Sequence, residues 1–389
     1  MRYPDYIFKV LGTVAILMAA SACVKSDIEY ETNGGEISIA PVTSVVAKSV
    51  PGPVAGSDYP QLETMGIIAF HNQSSGAGPW EDDNASLYID KGEFGFVEQY
   101  SAWGGVTSRF VDNEKVTERN PYEWPSQGSL IFAGFSPYYR FEHTHPNQMI
   151  CLKDYVSFDL PSRTLSLNYT VGQYVPMTSE QMENNDEYVN ISQSDLMFFM
   201  PQVADGKYIG VNRVNIYPAH FQHALSLVEF TVRAEDAATE GRLDIDRITL
   251  EEVYHTGKFT ATVNDDGTVT AGWSALEGQE DVNIFGDDDA ASSGLHLDMA
   301  PRTVAQLLIL PGSTHRIKVV CHVYIQGKMY EQTYIIRPEE VGISNWEMGK
   351  RYVYNLVLGL NKITFSPEAY EWDNSYGGGI ASHQTNDNQ

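Results

Sequence analysis

Basic residues, cysteine and long apolar runs are what this chain of 389 residues has least of. Lys and Arg number 25 against 51 Asp and Glu, a formal charge of −26. A surface of that sign is repelled by phosphate backbones, which excludes nucleic acid as a partner. Three cysteines, at positions 23, 151 and 321, are too few for a disulfide framework, so the fold must hold by packing. Cys151 and Cys321 sit in strand-like runs and read as small buried apolar residues; their pairing in an oxidising compartment is the alternative. Catalytic signatures are missing as well. There is no G-x-S-x-G elbow, H-E-x-x-H helix, P-loop or G-x-G-x-x-G turn, so hydrolase, zinc-protease and nucleotide readings lack support and the chain reads as a non-enzyme without a cofactor.

What is present is aromatic and β-branched. With 16 Phe, 6 Trp and 23 Tyr the chain can fill a sizeable core, and its length predicts two or three domains. Residues 1–22 read as an address: Arg2 and Lys9 flank an apolar stretch at 10–20, too short to span a bilayer permanently. Small residues at 20–22 precede Cys23, as in the lipobox of bacterial lipoproteins, which makes Cys23 the lipidated first residue of the mature chain. An ordinary signal peptide cut near Ala22 is the alternative.

An acidic tether, 23–35, leads into residues 36–46. There β-branched residues dominate, Ile37 and Ile39 share a face, and Val42 and Val45 add apolar surface. Pro41 cannot donate a ladder hydrogen bond, which predicts an edge strand. The Pro- and Gly-rich stretch that follows, within 47–60, reads as an exposed loop open to proteases.

Strand-like runs then recur at 64–70, 86–90, 106–111, 129–135, 155–160 and 194–200. A second set follows at 224–232, 243–253, 259–263, 269–273, 304–310, 316–325, 329–336 and 352–360. Many short alternating runs with turns between them predict an all-β protein of two β-sandwich domains in tandem, 36–205 and 206–372, followed by a polar tail, 373–389. Asp265-Asp266-Gly267 is the expected hairpin turn.

Candidate chemistry is sparse. His143 and His145 are spaced as a metal pair on a strand, but their surroundings read as a polar loop. His220 and His223 read as packing residues, and Asp287 to Asp289 as a solvated acidic turn rather than a calcium cradle. Trp80, Trp103 and Trp124 either pack in the core or stack on sugars, the second option defining a rival reading as a surface glycan-binding lipoprotein.

Several stretches together resemble the fimbrillin family, the type V pilin subunits of Gram-negative oral and gut anaerobes. They are the lipobox at Cys23, residues 36–56, SLIFAGFSP at 129–137, QSDLM at 193–197, FQHALSLVEF at 221–230, WEMGKRYVY at 346–354, ITFSP at 363–367 and Trp372. The resemblance implies transthyretin-like sandwiches and a precursor that reaches the outer membrane through its lipid. An extracellular trypsin-like protease then cuts it after a basic residue, and a neighbouring pilin subunit's strand replaces the first strand, building a fimbrium for adhesion to host glycan or protein. Lys48 is the single basic residue between Lys25 and Lys91, so the implied cut falls between Lys48 and Ser49. An ordinary loop lysine is the alternative. The implied donor segment carries Ile363, Phe365, Ala369 and Trp372, but the tail beyond it is mostly polar, which leaves a stalk and a tip or accessory role both open.

Overall fold

The computed structural model describes residues 35–42, 59, 61, 63–81, 84–111, 114–143, 148–176, 193–286, 294–360 and 362–372. Those residues form an all-β fold, as the alternating runs predict, with short 3-10 turns such as Glu98–Tyr100 as its helical pieces. No helix among them is long and apolar enough to cross a membrane.

A nine-stranded sheet carries the first half. Its order is Tyr217–His220, Ser38–Val42, Ala102–Val111, Ala85–Val97, Met65–Asn72, Ser129–Ser136, Met197–Phe199, Gln222–His223, with Glu114–Arg119 added beside Ala102–Val111. The first and last members of that order are consecutive in the chain, separated by Phe221, so the sheet rolls on itself and its two ends meet there. Alternation sorts the side chains between two cores. Met65, Ile67, Leu130, Phe132, Met197 and Phe199 point into the roll. Their neighbours Ile68, Ala133, Phe135, Leu196 and Phe198 point out, into a second cluster. Packing is tight at this sheet: a Cβ on Gly134 would stand 2.2 Å from the Phe199 ring.

The outward cluster is completed by a seven-stranded sheet whose centre is Leu243–Val263. This strand has 21 residues and pairs with the 17-residue Val269–Phe285. The sequence breaks it into 243–253 and 259–263 because the run from Tyr254 to Lys258 interrupts the apolar pattern, and Glu251 and Glu252 stand inside the first run. Register shifts between Leu250 and Val253 and between Thr256 and Lys258 absorb those residues without ending the strand. Asp265-Asp266-Gly267 makes the expected turn. Gly267 has φ +85°, and the Asp266 carboxylate accepts hydrogen bonds from the Thr268 N–H and hydroxyl at 2.9 and 2.6 Å.

The tip of this hairpin, with Phe259 and Ala261, packs with Leu165 and Leu167 against the nine-stranded sheet. Its base, with Ile245, Ile248 and Leu250, packs with Val319 and Cys321 against Val228, Phe230, Tyr354 and Leu356. The last four belong to a four-stranded sheet ordered Arg302–Ile309, Ser226–Ala234, Lys350–Gly359, Lys362–Glu371. One hairpin thus serves two packed-sheet units. The expected boundary between 205 and 206 is not a seam in the sheets: Tyr217–His220 pairs with Ser38–Val42, and Thr164–Thr170 pairs with Leu243–Val263. Composition marked a loop-rich stretch there, but the chain returns to the first sheet after it.

Cys151 and Cys321 are both free thiols. Burial pushes the Cys321 thiol up to about 12, in keeping with a core residue. Phe259 tests the sharing of the hairpin, since its ring is fully buried and lies 4.8 Å from Phe198 and 5.4 Å from Trp273. Phe259→Ala is expected to cost about 3–5 kcal/mol in urea denaturation, with both sheet units still melting in one transition. Two separated transitions would show that the hairpin does not couple them.

Candidate functional site

The leading strand fills a backbone slot between two strands of the nine-stranded sheet. The leading strand Ser38–Val42 runs parallel to Tyr217–His220 over four residue pairs, from Ile39 opposite Tyr217 to Val42 opposite His220. On its other flank it pairs antiparallel with Ala102–Val111 at Ser38 opposite Gly104 and Ile39 opposite Trp103. The edge position expected from Pro41 is therefore corrected: the strand has neighbours on both sides. Proline is tolerated for a local reason. The Val42 carbonyl accepts from the Phe221 N–H at 3.1 Å, so Ala40 and Val42 turn their backbone groups toward Tyr217–His220, while Ile39 and Pro41 turn theirs toward Ala102–Val111. That second ladder ends at Ile39, one pleat before Pro41, and no ladder bond is lost.

Ile37 and Ile39 are 0% exposed and fill the roll beside Met65, Phe94, Trp103, Tyr217 and Phe221. Val42, at 38% exposed, lies at the open end of the strand. The start is fastened by Ile37 N–H to the Tyr122 carbonyl at 2.7 Å, Trp124 N–H to the Gly35 carbonyl at 2.8 Å, and an ion pair between Glu36 and Arg119. Beyond the strand, Tyr59 closes the core: its ring sits edge-on to Trp103 at 5.3 Å and stacked on Phe221 at 5.8 Å. Its hydroxyl lies 2.5 Å from the Ser136 hydroxyl. Cys23, Val45, Lys48 and Ser49 lie outside the described residues, as do His145 and Asp287 to Asp289.

Tyr217–His220, one wall of the slot, is the element that sequence reasoning misses. Tyr217 and Ala219 alternate inward, a signal present in the sequence, but Pro218 and the two nearby histidines mask it. The expected donor segment is also placed. Residues Lys362–Glu371 pair with Lys350–Gly359 along ten residue pairs and form the end strand of their sheet. Ile363 and Phe365 are half-buried, with Phe365 stacked on Tyr354 at 5.1 Å, while Ala369 is exposed. Trp372 is buried, and its ring stacks on His223 at 4.0 Å. His223 Nδ1 lies 2.8 Å from the Asp195 carboxylate. Asp195, His223 and Trp372 come from three of the separate motifs above, so those motifs meet as a buried fastener between the first sheet and the end of the last.

Trp80, Trp103 and Trp124 are 3%, 8% and 8% exposed. None presents a ring face to a sugar, which removes the platform on which the glycan-binding rival rests. His143 lies beside His255 and Glu280.

A family model described as fimbrillin-like matches residues 74–372. The chain belongs to the fimbrillin-like family. The matched stretch of this fimbrillin-like chain begins after the leading strand. No curated protein matches it. Among solved structures it is similar to a fimbrial protein from Bacteroides vulgatus, at 14% identity and a TM-score of 0.49 over 86% of this chain and 99% of that one. It is also similar to a candidate cell adhesion protein from Bacteroides uniformis, at 14% identity and 0.43 over 87% and 99%. A third is the tip fimbrial protein Mfa3 from Porphyromonas gingivalis with a C-terminal truncation, at 7% identity and 0.33 over 80% and 95%.

One carboxyl beside the slot titrates near neutrality. Glu63, whose carbonyl accepts from the Trp103 indole N–H at 3.4 Å, is pushed up to about 7 by desolvation; Lys115 opposes that rise and Asp195 adds to it. The folded chain therefore holds this proton more tightly than the unfolded chain, and stability declines as pH rises from about 4.5 through about 7. Glu63→Gln is expected to flatten that decline and to stabilise the protein at pH 8 by at most about 3 kcal/mol, read from urea midpoints at pH 5 and pH 8. An unchanged slope would contradict the assignment.

Proposed function

We propose that this chain is the lipid-anchored precursor of a fimbrial subunit whose leading strand is a placeholder. Membership of the fimbrillin-like family supports a structural role at the cell-surface fimbrium with other pilin subunits as partners. Cys23 carries the lipid to the outer membrane, a trypsin-like extracellular protease cuts between Lys48 and Ser49, and the strand that holds Ile37 and Ile39 leaves with the lipid. A strand of a neighbouring subunit then enters between Ala102–Val111 and Tyr217–His220.

The observation that carries this reading is the strand's double role. It fills the core with two fully buried isoleucines, yet its ladder on one flank is two residue pairs long. Exposing two isoleucine side chains costs about 3–6 kcal/mol, so the strand stays in place while the chain is intact. A cut changes the balance, because the strand then loses the high effective concentration that its covalent connection provides. The slot it vacates presents backbone N–H and C=O groups on both walls, which favours replacement by another extended segment over an empty groove.

The donor is the less anchored half of the proposal. Ile363, Phe365, Ala369 and Trp372 serve as donor only if Lys362–Glu371 first peels from its ten-pair ladder. That requirement favours a tip or accessory subunit, which receives a strand without giving one, over a stalk subunit.

Limited trypsin digestion of the purified protein is expected to cut first after Lys48 and to yield species, alone or with a partner pilin, that resist mild detergent. Lys48→Ala is expected to remain intact and monomeric. Detergent-resistant assembly by Lys48→Ala protein would overturn the reading.

A further inference from the structure

We infer that His143, His255 and Glu280 form a binding site for one divalent transition-metal ion of the zinc class, set where the long hairpin passes from one sheet unit to the other. The ligand-type atoms of these three side chains all lie within 4.8 Å of one another. His143 follows Tyr139–Phe141, while His255 stands on Leu243–Val263 two residues after Val253, the cross-strand partner of Glu280 on Val269–Phe285, next to the register shifts of that ladder.

Hydrogen-bond accounting points to a cation. His143 Nδ1 lies 2.9 Å from the Val171 carbonyl oxygen, which can only accept, so Nδ1 carries the hydrogen. Nε2 of the same ring lies 2.9 Å from Glu280 Oε1. In a neutral ring that contact sets a lone pair against a carboxylate, and something positive must lie between them. The same carboxylate oxygen is 3.8 Å from His255 Nδ1, a buried atom with no hydrogen-bond partner.

A proton on His143 satisfies one of these atoms and leaves His255 Nδ1 orphaned. It also puts an imidazolium against a second ring, since the two imidazoles stack with centroids 4.0 Å apart and planes 10° from parallel. One ion satisfies all three. Two ligands about 2.0–2.2 Å from a tetrahedral zinc ion stand about 3.4 Å apart, so the 2.9 Å contact between His143 and Glu280 opens by about half an ångström, which the exposed Glu280 side chain allows. His255 reaches the ion by tilting out of the stack. Two imidazoles and one carboxylate are a donor set that suits zinc and its neighbours over calcium or magnesium. The second shell is in place: the Val171 carbonyl orients His143, and the Gly278 backbone hydrogen-bonds the His255 ring. Gly278 has φ +72°, and a Cβ there would stand 2.3 Å from that ring, so glycine is required for His255 to sit where it does. The ion's role would be to clip the segment after Phe141 to the hairpin shared by both units.

The test is isothermal titration of the purified full chain with Zn2+ in chelator-free buffer, with Co2+ absorption spectra in parallel. One equivalent per chain is expected, with visible Co2+ bands, and at least about a tenfold loss of affinity in each of His255→Gln and Glu280→Gln. Glu280 has a side chain 42% exposed, so its variant keeps the experiment decisive if His255→Gln fails to fold. Stoichiometric binding that survives both substitutions, or no stoichiometric binding to the unsubstituted chain, would overturn the site.

Discussion

Backbone groups inside a sheet need partners on both flanks, and in the rolled sheet of this chain the short leading strand supplies them to its two neighbours. Residues Ser38–Val42 complete the roll between Ala102–Val111 and Tyr217–His220, and Ile37 and Ile39 complete the core inside it. Without them, two walls of N–H and C=O groups face each other across an apolar trough. An unpaired buried backbone group costs as much as a lost hydrogen bond, so such a trough either collapses or binds another extended segment. The rest of the fold bears on which of these happens.

Collapse is opposed by everything that holds Tyr217–His220 in place. That strand continues through Phe221 into Gln222–His223, which pairs with Met197–Phe199 at the far end of the same sheet. His223 is then tied to Asp195 and covered by Trp372, and Trp273 donates its indole N–H to the Ala224 carbonyl at 2.6 Å. One wall of the slot is therefore fastened to the hairpin and to the end of the last sheet. That wall is not free to close over the space the leading strand fills. The arrangement makes the buried Asp195 and His223 part of what fixes this wall.

Much of this was legible in the sequence. Alternation at Leu243 to Val253, Val319 to Ile325 and Tyr352 to Leu360 follows directly from one buried face per strand, and Asp265-Asp266-Gly267 reports its own turn. The buried role of Ile37 and Ile39 was visible for the same reason. What stayed hidden was pairing. A proline marks a missing donor but not which flank the donor would have served, so Pro41 suggested an edge where the neighbouring ladder merely ends. Tyr217–His220 is four residues long and includes a proline, too little for periodicity to register. His143, His255 and Glu280 are scattered over a span that no spacing rule joins, and only the bulged hairpin brings them together. The three tryptophans show the opposite limit: an aromatic in a loop-like stretch reads alike whether it faces water or, as here, the core.

The most direct test is to lock the leading strand to its wall. Val42 and His220 are cross-strand partners, and Val42→Cys with His220→Cys places a reducible link between them. The account predicts that this protein, cut after residue 48 and oxidised, keeps its leading strand and does not assemble, and that reduction restores both release and assembly. Assembly of the oxidised, locked protein to the same extent as the reduced one would contradict the claim that the leading strand must leave.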